Sequence, residues 1–127
     1  MKITIPFKTP TINHLYWHKG NMKIKTTEAR RLQEKIEEIV EKDGNNKVNV
    51  INAVCPSNTL KVTTEIYENW YCKNGSVYVK DVANREKFLI DCVFRALGIN
   101  DCYIFEHHIR KIQSTTEEKA EITIEVL

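Results

Sequence analysis

The 127-residue sequence lacks the long apolar segments of membrane and secreted proteins. No apolar run approaches the roughly 18 residues that suggest a membrane-spanning helix. The N-terminal segment MKITIPFKTP has no apolar centre of the kind found in signal peptides, and it reads as a strand. We therefore expect a cytoplasmic protein of one domain, residues 1–127, that does not bind a membrane.

The sequence also lacks a Cys-x-x-Cys pair. Its four cysteines are Cys55, Cys72, Cys92 and Cys102. All of them lie in or beside apolar stretches, which in a reducing compartment is typical of small buried side chains. A zinc site formed by Cys102 with His107 or His108 is the alternative, although this spacing matches no standard zinc motif.

Net charge is small, at +2, but it is unevenly distributed. Residues 1–35 contain eight Lys and Arg side chains against two Glu, a net of +6, so the rest of the chain carries −4. A basic N-terminal third suits an anionic partner such as nucleic acid. A solvated surface without a partner explains the same charge equally well.

Hydrophobic periodicity predicts strands with two helices between them. The predicted strands are KITIPF, a hairpin around a KGN turn, residues 47–55, residues 60–71, SVYVK after a CKNGS turn, and a closing hairpin of 102–112 with 119–126. Strands with interspersed helices indicate an α+β fold. We expect a single mixed or antiparallel sheet with the two main helices packed on one face.

Capping residues set the expected ends of both helices. Thr26 or Thr27 would begin the first helix, and Gly44 would end it. The second helix is predicted from Asn84 to Leu97, followed by Gly98.

A polar face follows the second helix. It consists of Asn84, Lys87, Asp91 and Arg95, spaced by three, four and four residues. One interpretation is a solvated face on which Lys87 pairs with Asp91, an interaction worth only about 0.3–0.5 kcal/mol.

Two acidic residues flank this helix and favour a second interpretation. Asp81 follows the preceding strand, and Asp101 opens the next one. If both strands belong to one sheet, the two carboxylates can converge near one end of the helix, where a divalent cation would relieve their repulsion. Such oxygen ligands suit Mg²⁺, and Lys87 could then hold a phosphate or stabilise charge on a leaving group.

These residues resemble the central motif of the RusA family of Holliday-junction resolvases. That motif is D-x-D-N-x-x-K, then an Asp four residues later, a Gly and a D-D pair; this chain has DVANREK, Asp91, ALGI and ND at 100–101. IPFKTPTINHLYWHKGNMKIKTTEA is similar to the family's opening segment, and AEITIEVL to its terminal strand. The resemblance covers nearly the whole chain.

The resemblance implies a RusA-like fold and a homodimeric endonuclease that cuts four-way DNA junctions with paired nicks, associated with the nucleoid. Mg²⁺ would be its cofactor, with Mn²⁺ as an alternative. The implied catalytic residues are Asp81, Lys87 and Asp101. Asp81 and Asp101 would bind the metal, and Asn100 could add a carbonyl oxygen.

Two other motif positions would support the site. Asn84 would orient the turn before the helix, and Asp91 would have a structural or supporting role. The resemblance and the charge pattern together assign DNA contacts to Asn13, Tyr16, Trp17, Lys19, Lys23, Lys25, Arg30, Arg110 and Lys111. Basic side chains would contact phosphates, and Tyr16 and Trp17 would either stack on bases or pack in the hairpin.

The motif departs from the family at two acidic positions, where this chain has Ala83 and Asn100. Glu86 and Glu106 are candidates to replace the missing carboxylates. Glu106, however, lies an odd number of positions after Asp101, so along a strand its side chain could face the other side of the sheet. Two alternatives therefore stay open: a weakened or inactive branched-DNA-binding protein, and a structural or interaction domain. His107 and His108 are consecutive residues on a predicted strand, so one side chain should face inward and the other outward.

Overall fold

The secondary structure is known for residues 1–9, 16–20, 22–42 and 58–127, which a computed structural model describes. In chain order its elements are β1 (Lys2–Ile5), β2 (Tyr16–Lys19), β3 (Met22–Lys25), α1 (Thr27–Lys42), β4 (Leu60–Glu68), α2 (Val82–Leu97), a 3₁₀ turn (Asp101–Tyr103), β5 (Ile104–Gln113) and β6 (Lys119–Val126). No helix in these ranges is long and apolar enough to cross a membrane.

The main sheet has four strands in the order β1, β6, β4, β5. β4 pairs antiparallel with β6 and parallel with β5. Parallel neighbours need a crossover connection, and α2 provides it. The sheet is therefore mixed, and with its two helices it confirms the predicted α+β fold.

The predicted closing hairpin is wrong, because β4 lies between β5 and β6. The connection from β5 to β6 passes the end of β4, where the backbone N–H of Ser114 donates to the carbonyl of Glu68 at 3.0 Å. Sequence adjacency favoured direct pairing of the last two strands. The central position of β4 instead gives it a partner on each side.

The core lies on one face of the sheet. Along β4 the even-numbered residues from Leu60 to Glu68, Thr64 among them, are buried, while the odd-numbered residues between them are half-buried. In α1 the buried side chains are Ala29, Ile36 and Val40. The Thr26 hydroxyl accepts a hydrogen bond from the N–H of Ala29 at 3.2 Å and so caps this helix.

α2 begins at Val82, two residues earlier than predicted. Asp81 is its N-cap, and its carboxylate accepts a hydrogen bond from the N–H of Ala83 at 3.0 Å. Gly98 ends the helix in the left-handed conformation, with φ of 70°, as its position predicts. Asp is among the preferred N-cap residues, so the earlier start follows from the capping rule itself.

The predicted strand SVYVK is wrong, although the turn before it forms. The N–H of Cys72 donates to the carbonyl of Ser76 at 2.7 Å, and Gly75 has φ of 87°. Beyond the turn, the pairing is a single bridge between Tyr71 and Val77. Val77 is 60% exposed and so lacks the packing surface that would extend a strand.

The remaining predictions concern the first hairpin, the segment after α1 and the cysteines. β2 and β3 form the expected hairpin, with Gly20 at φ of 61° in its turn. The predicted strand 47–55, Gly44 and Cys55 lie outside the described residues. The other three cysteines are free: Cys92 is buried as expected, and burial raises its pKa to about 12, whereas Cys72 is half-buried and Cys102 is exposed.

A buried ion network fixes the start of α2 against the end of β4. Glu68 is only 2% exposed, and its carboxylate contacts Lys80 at 3.0 Å, Arg85 at 3.3 Å and Lys8 at 3.8 Å. Arg85 also donates to the carbonyl of Thr9 at 2.7 Å. Since a buried carboxylate is stable only when it is paired, these contacts hold three segments of the chain together.

Candidate active site

A cleft of about 430 Å³ lies between the first half of α2 and the chain that leads into β5. The residues that line it are Ala83, Glu86, Lys87, Ile90, Asp91, Asp101, Ile104 and His107. The fold therefore places four of the motif positions, 83, 87, 91 and 101, around one space. The helical spacing puts the first three on one face of α2.

Lys87 and Asp91 form one wall of the cleft. Their side chains lie 3.8 Å apart at i and i+4 and are 62% and 42% exposed. The pair expected for a solvated helix face is therefore present. Exposed pairs of this kind are weak, with a median of about 0–1 kcal/mol, so a phosphate could take the place of Asp91 at Lys87.

Asp101 enters the cleft from the 3₁₀ turn. Asn100 caps this turn, because its Oδ1 accepts a hydrogen bond from the N–H of Cys102 at 2.9 Å. Asn100, which stands where the family has an acidic residue, therefore stabilises the start of the 3₁₀ turn. Asp101 itself is exposed, so its carboxylate is accessible to solvent.

Asp81 has a different environment. It is exposed and engaged at the N-terminus of α2, and it is not among the residues that line the cleft. The sharing of a cation between Asp81 and Asp101 stays a prediction. Asn84 lies in the first turn of α2.

Glu86 and His107 form a partly buried contact that crosses from α2 to β5. The Oε1 atom of Glu86 lies 2.6 Å from Nε2 of His107, and it also accepts a hydrogen bond from the hydroxyl of Thr64 at 3.2 Å. Glu86 is 4% exposed. Burial raises the pKa of Glu86, while the neighbouring His107 and Thr64 oppose that increase.

The two histidines face opposite sides of the sheet, as the strand alternation predicts. His107 faces the helices through Glu86, whereas His108 lies 3.7 Å from Glu106 and lines a depression with Lys61 and other polar residues. The expectation that Glu106 faces away from the site is consistent with this placement. Glu86 is the one of the two candidate replacement carboxylates that reaches the cleft.

Within residues 1–9, 16–20, 22–42 and 58–127, no three His, Cys, Asp or Glu side chains form a group that could hold a metal ion by themselves. This gives no support to a zinc site at Cys102. Besides the imidazole of His107, the donors that line the cleft are the carboxylates of Glu86, Asp91 and Asp101, and carboxylates are ligands for hard cations. Mg²⁺ commonly takes one or two protein carboxylates and completes its shell with water and substrate phosphate, and the cleft fits that pattern.

The residues assigned to DNA contacts lie in several places. Asn13 is outside the described residues, and Tyr16, Trp17, Lys19 and Lys23 belong to the β2–β3 hairpin. Lys25 is half-buried and donates to Gln33, and Arg30 is exposed on α1.

The two basic residues on β5 already have partners within the protein. Arg110 pairs with Glu65 at 2.8 Å on the same face as His108. Lys111 donates to the carbonyl of Lys80 at 2.8 Å and lies over the ring of Trp70. Since adjacent strand residues point to opposite faces, these two cannot belong to one flat contact surface.

The comparisons with known proteins agree with the motif. A family model described as endodeoxyribonuclease RusA matches residues 6–125 of the chain. That range includes both walls of the cleft. A search of curated proteins found no match.

Proposed function

Because the chain belongs to the endodeoxyribonuclease RusA family, we propose that it is a metal-dependent, structure-specific endonuclease that resolves four-way DNA junctions by paired nicks. The observation that carries this proposal is the single cleft that contains Lys87, Asp91 and Asp101. Positions far apart in the chain line one open space, as a site acting on a phosphodiester requires.

Lys87 is the proposed phosphate-binding and charge-stabilising residue. Its ammonium group is largely exposed, and its partner Asp91 is exposed too, so it can turn toward DNA at little cost. A fixed positive charge beside the scissile phosphate would favour the transition state, in which negative charge shifts toward the leaving oxygen.

The proposed cofactor is Mg²⁺, with Mn²⁺ as the alternative. Asp101 and Asp81 would be its protein ligands, and Asn100 would be a weaker oxygen donor beside Asp101. When bound, the ion supplies positive charge that polarises the phosphoryl group and orients the substrate. With few protein carboxylates, affinity for the free ion should be low and should rise when DNA phosphate completes the ligand set.

Paired nicks require two active sites related by a two-fold axis, so the proposed assembly is a homodimer. A four-way junction offers equivalent strands on either side of its crossover, one for each protomer. The basic residues of the β2–β3 hairpin and Arg30 are the proposed phosphate contacts outside the cleft. Their contribution to DNA affinity should weaken steeply as salt concentration rises.

A synthetic mobile four-way junction tests the proposal. We expect symmetric nicks in the presence of Mg²⁺ or Mn²⁺, loss of those nicks in Asp101→Asn, and unchanged nicking in Glu125→Gln, an exposed control on β6. Both substitutions remove one carboxylate charge, so only the position differs. Equal nicking of junction and plain duplex would contradict structure specificity.

Ala83 and Asn100 favour a second candidate, a branched-DNA-binding protein that no longer cleaves. A retarded junction without nicks, at all metal concentrations tested, would establish this alternative. Equal affinity for junction and duplex would contradict both candidates.

A further inference from the structure

We propose that His107 is the general base of this cleft and that Glu86 is the residue that positions it. The inference rests on the proposed nuclease function and names the group that takes the proton from the attacking water. It is drawn from the contact between these two side chains, the cleft that His107 lines and the absence of a carboxylate at Ala83.

The geometry leaves one ring nitrogen available. Nε2 of His107 lies 2.6 Å from the Glu86 carboxylate, and no other described residue is hydrogen-bonded to Nδ1. A carboxylate that accepts the proton of one ring nitrogen leaves the other with a lone pair, which is the tautomer a general base requires. The His107 side chain is 30% exposed, so water can reach it.

Burial of Glu86 makes the arrangement rigid. Its side chain is 5% exposed and is also bound by Thr64 of β4, so the imidazole has a fixed partner on the side away from solvent. Burial also raises the pKa of Glu86, and His107 is the group that chiefly opposes this increase. The other charged groups facing the pair are Lys87 and Asp91 of α2 and Asp101 of the 3₁₀ turn.

The proposed step is hydrolysis of a phosphodiester bond by water. Nδ1 of His107 accepts a proton from water while the water oxygen forms a bond to phosphorus. The bond from phosphorus to the leaving bridging oxygen breaks, and that oxygen takes a proton from solvent. The imidazolium, stabilised by Glu86, then releases its proton to solvent, so no oxidant or reductant is needed.

The test compares His107→Gln, Glu86→Gln and the control His108→Gln on the junction substrate across pH. His108 is adjacent in sequence but faces the other side of the sheet, and it does not line the cleft. We expect His107→Gln to lower kcat by about 100-fold or more while junction affinity changes less than about threefold. His108→Gln should behave as the wild type.

Glu86→Gln separates a positioning role from a structural one. Loss of the carboxylate charge removes stabilisation of the protonated imidazole, so the acidic limb of the pH–rate profile should move to lower pH. A purely structural contact would leave the position of that limb unchanged. Thermal unfolding of each variant, measured in parallel, shows whether the fold has survived.

Three results would overturn the inference. If the wild type nicks and His107→Gln nicks equally well, the inference fails and the proposed function stands. If His107→Gln loses nicking together with junction binding or thermal stability, and the Glu86→Gln profile is unshifted, the pair is structural. If the wild type does not nick with either metal, the proposed function and the inference fail together.

Discussion

The carboxylate of Asp81 caps α2 by accepting a hydrogen bond from the N–H of Ala83, two residues later in the chain, at 3.0 Å. One of the two aspartates that the motif assigns to a metal ion is therefore also the N-cap of α2. A loss of activity in an Asp81 variant could arise from either role. The two roles can be separated because Asn caps a helix about as well as Asp but carries no charge.

We predict that Asp81→Asn retains the stability of the wild type and loses metal-dependent nicking. Asp81→Ala should lose nicking and also about 1 kcal/mol of stability, because the cap is removed. Urea unfolding and junction cleavage, measured on the same preparations, check both expectations. Full cleavage by Asp81→Asn would restrict Asp81 to the cap and leave the metal to the carboxylates of the cleft.

Lys87→Met should abolish most cleavage with little change in stability. Lys87 is 62% exposed, so its loss should alter the free energy of unfolding by no more than about 0.5 kcal/mol. Cleavage should fall by about 100-fold to 1000-fold, as when another charge-stabilising donor is removed from an active site. Lys61→Met is the matched control, since Lys61 lies on the face of the sheet with His108. Similar losses of cleavage in both variants would show that each lysine acts by general electrostatic attraction of DNA.

Ala83→Asp should raise cleavage and lower the Mg²⁺ concentration needed for half-maximal rate. Ala83 lines the cleft and is exposed, so an added carboxylate has room and remains hydrated. A further negative charge near Asp101 favours a divalent cation. The measurement is a magnesium titration of junction nicking by both proteins. An unchanged midpoint would mean that position 83 does not contribute to ion binding.

Glu86 should make stability depend on pH in a defined direction. Burial raises its pKa above the unfolded value of 4.5, so its protonated form stabilises the fold; this stabilisation is complete below 4.5 and is lost as pH rises through the folded pKa. Gln cannot ionise. The stability of the wild type relative to Glu86→Gln should therefore decrease as pH rises above 4.5 and through the folded pKa. Urea unfolding at several pH values checks this, and an increase would show that the contact with His107 outweighs burial.

Lys111 and Arg110 are adjacent basic residues on β5. Both were assigned to DNA, yet strand alternation already placed them on opposite faces. The structure gives each a partner within the protein, Lys80 and Glu65.

The sequence by itself determined the features that depend on near neighbours. The cap at Asp81, the left-handed stop at Gly98 and the shared face of Lys87 and Asp91 all arise from contacts within four residues, and helix geometry alone fixes them. The hairpin around Gly20 follows from the same kind of short-range rule.

Only the tertiary structure decided the features that require distant segments to meet. Glu86 and His107 are 21 residues apart, and their contact depends on α2 lying across the sheet beside β5. The insertion of β4 between β5 and β6 likewise depends on which strands gain most from pairing, which no local pattern encodes. Local propensity acts only between residues that are near in sequence. The cleft forms because burial of one face of the sheet brings α2 against the chain that leads into β5.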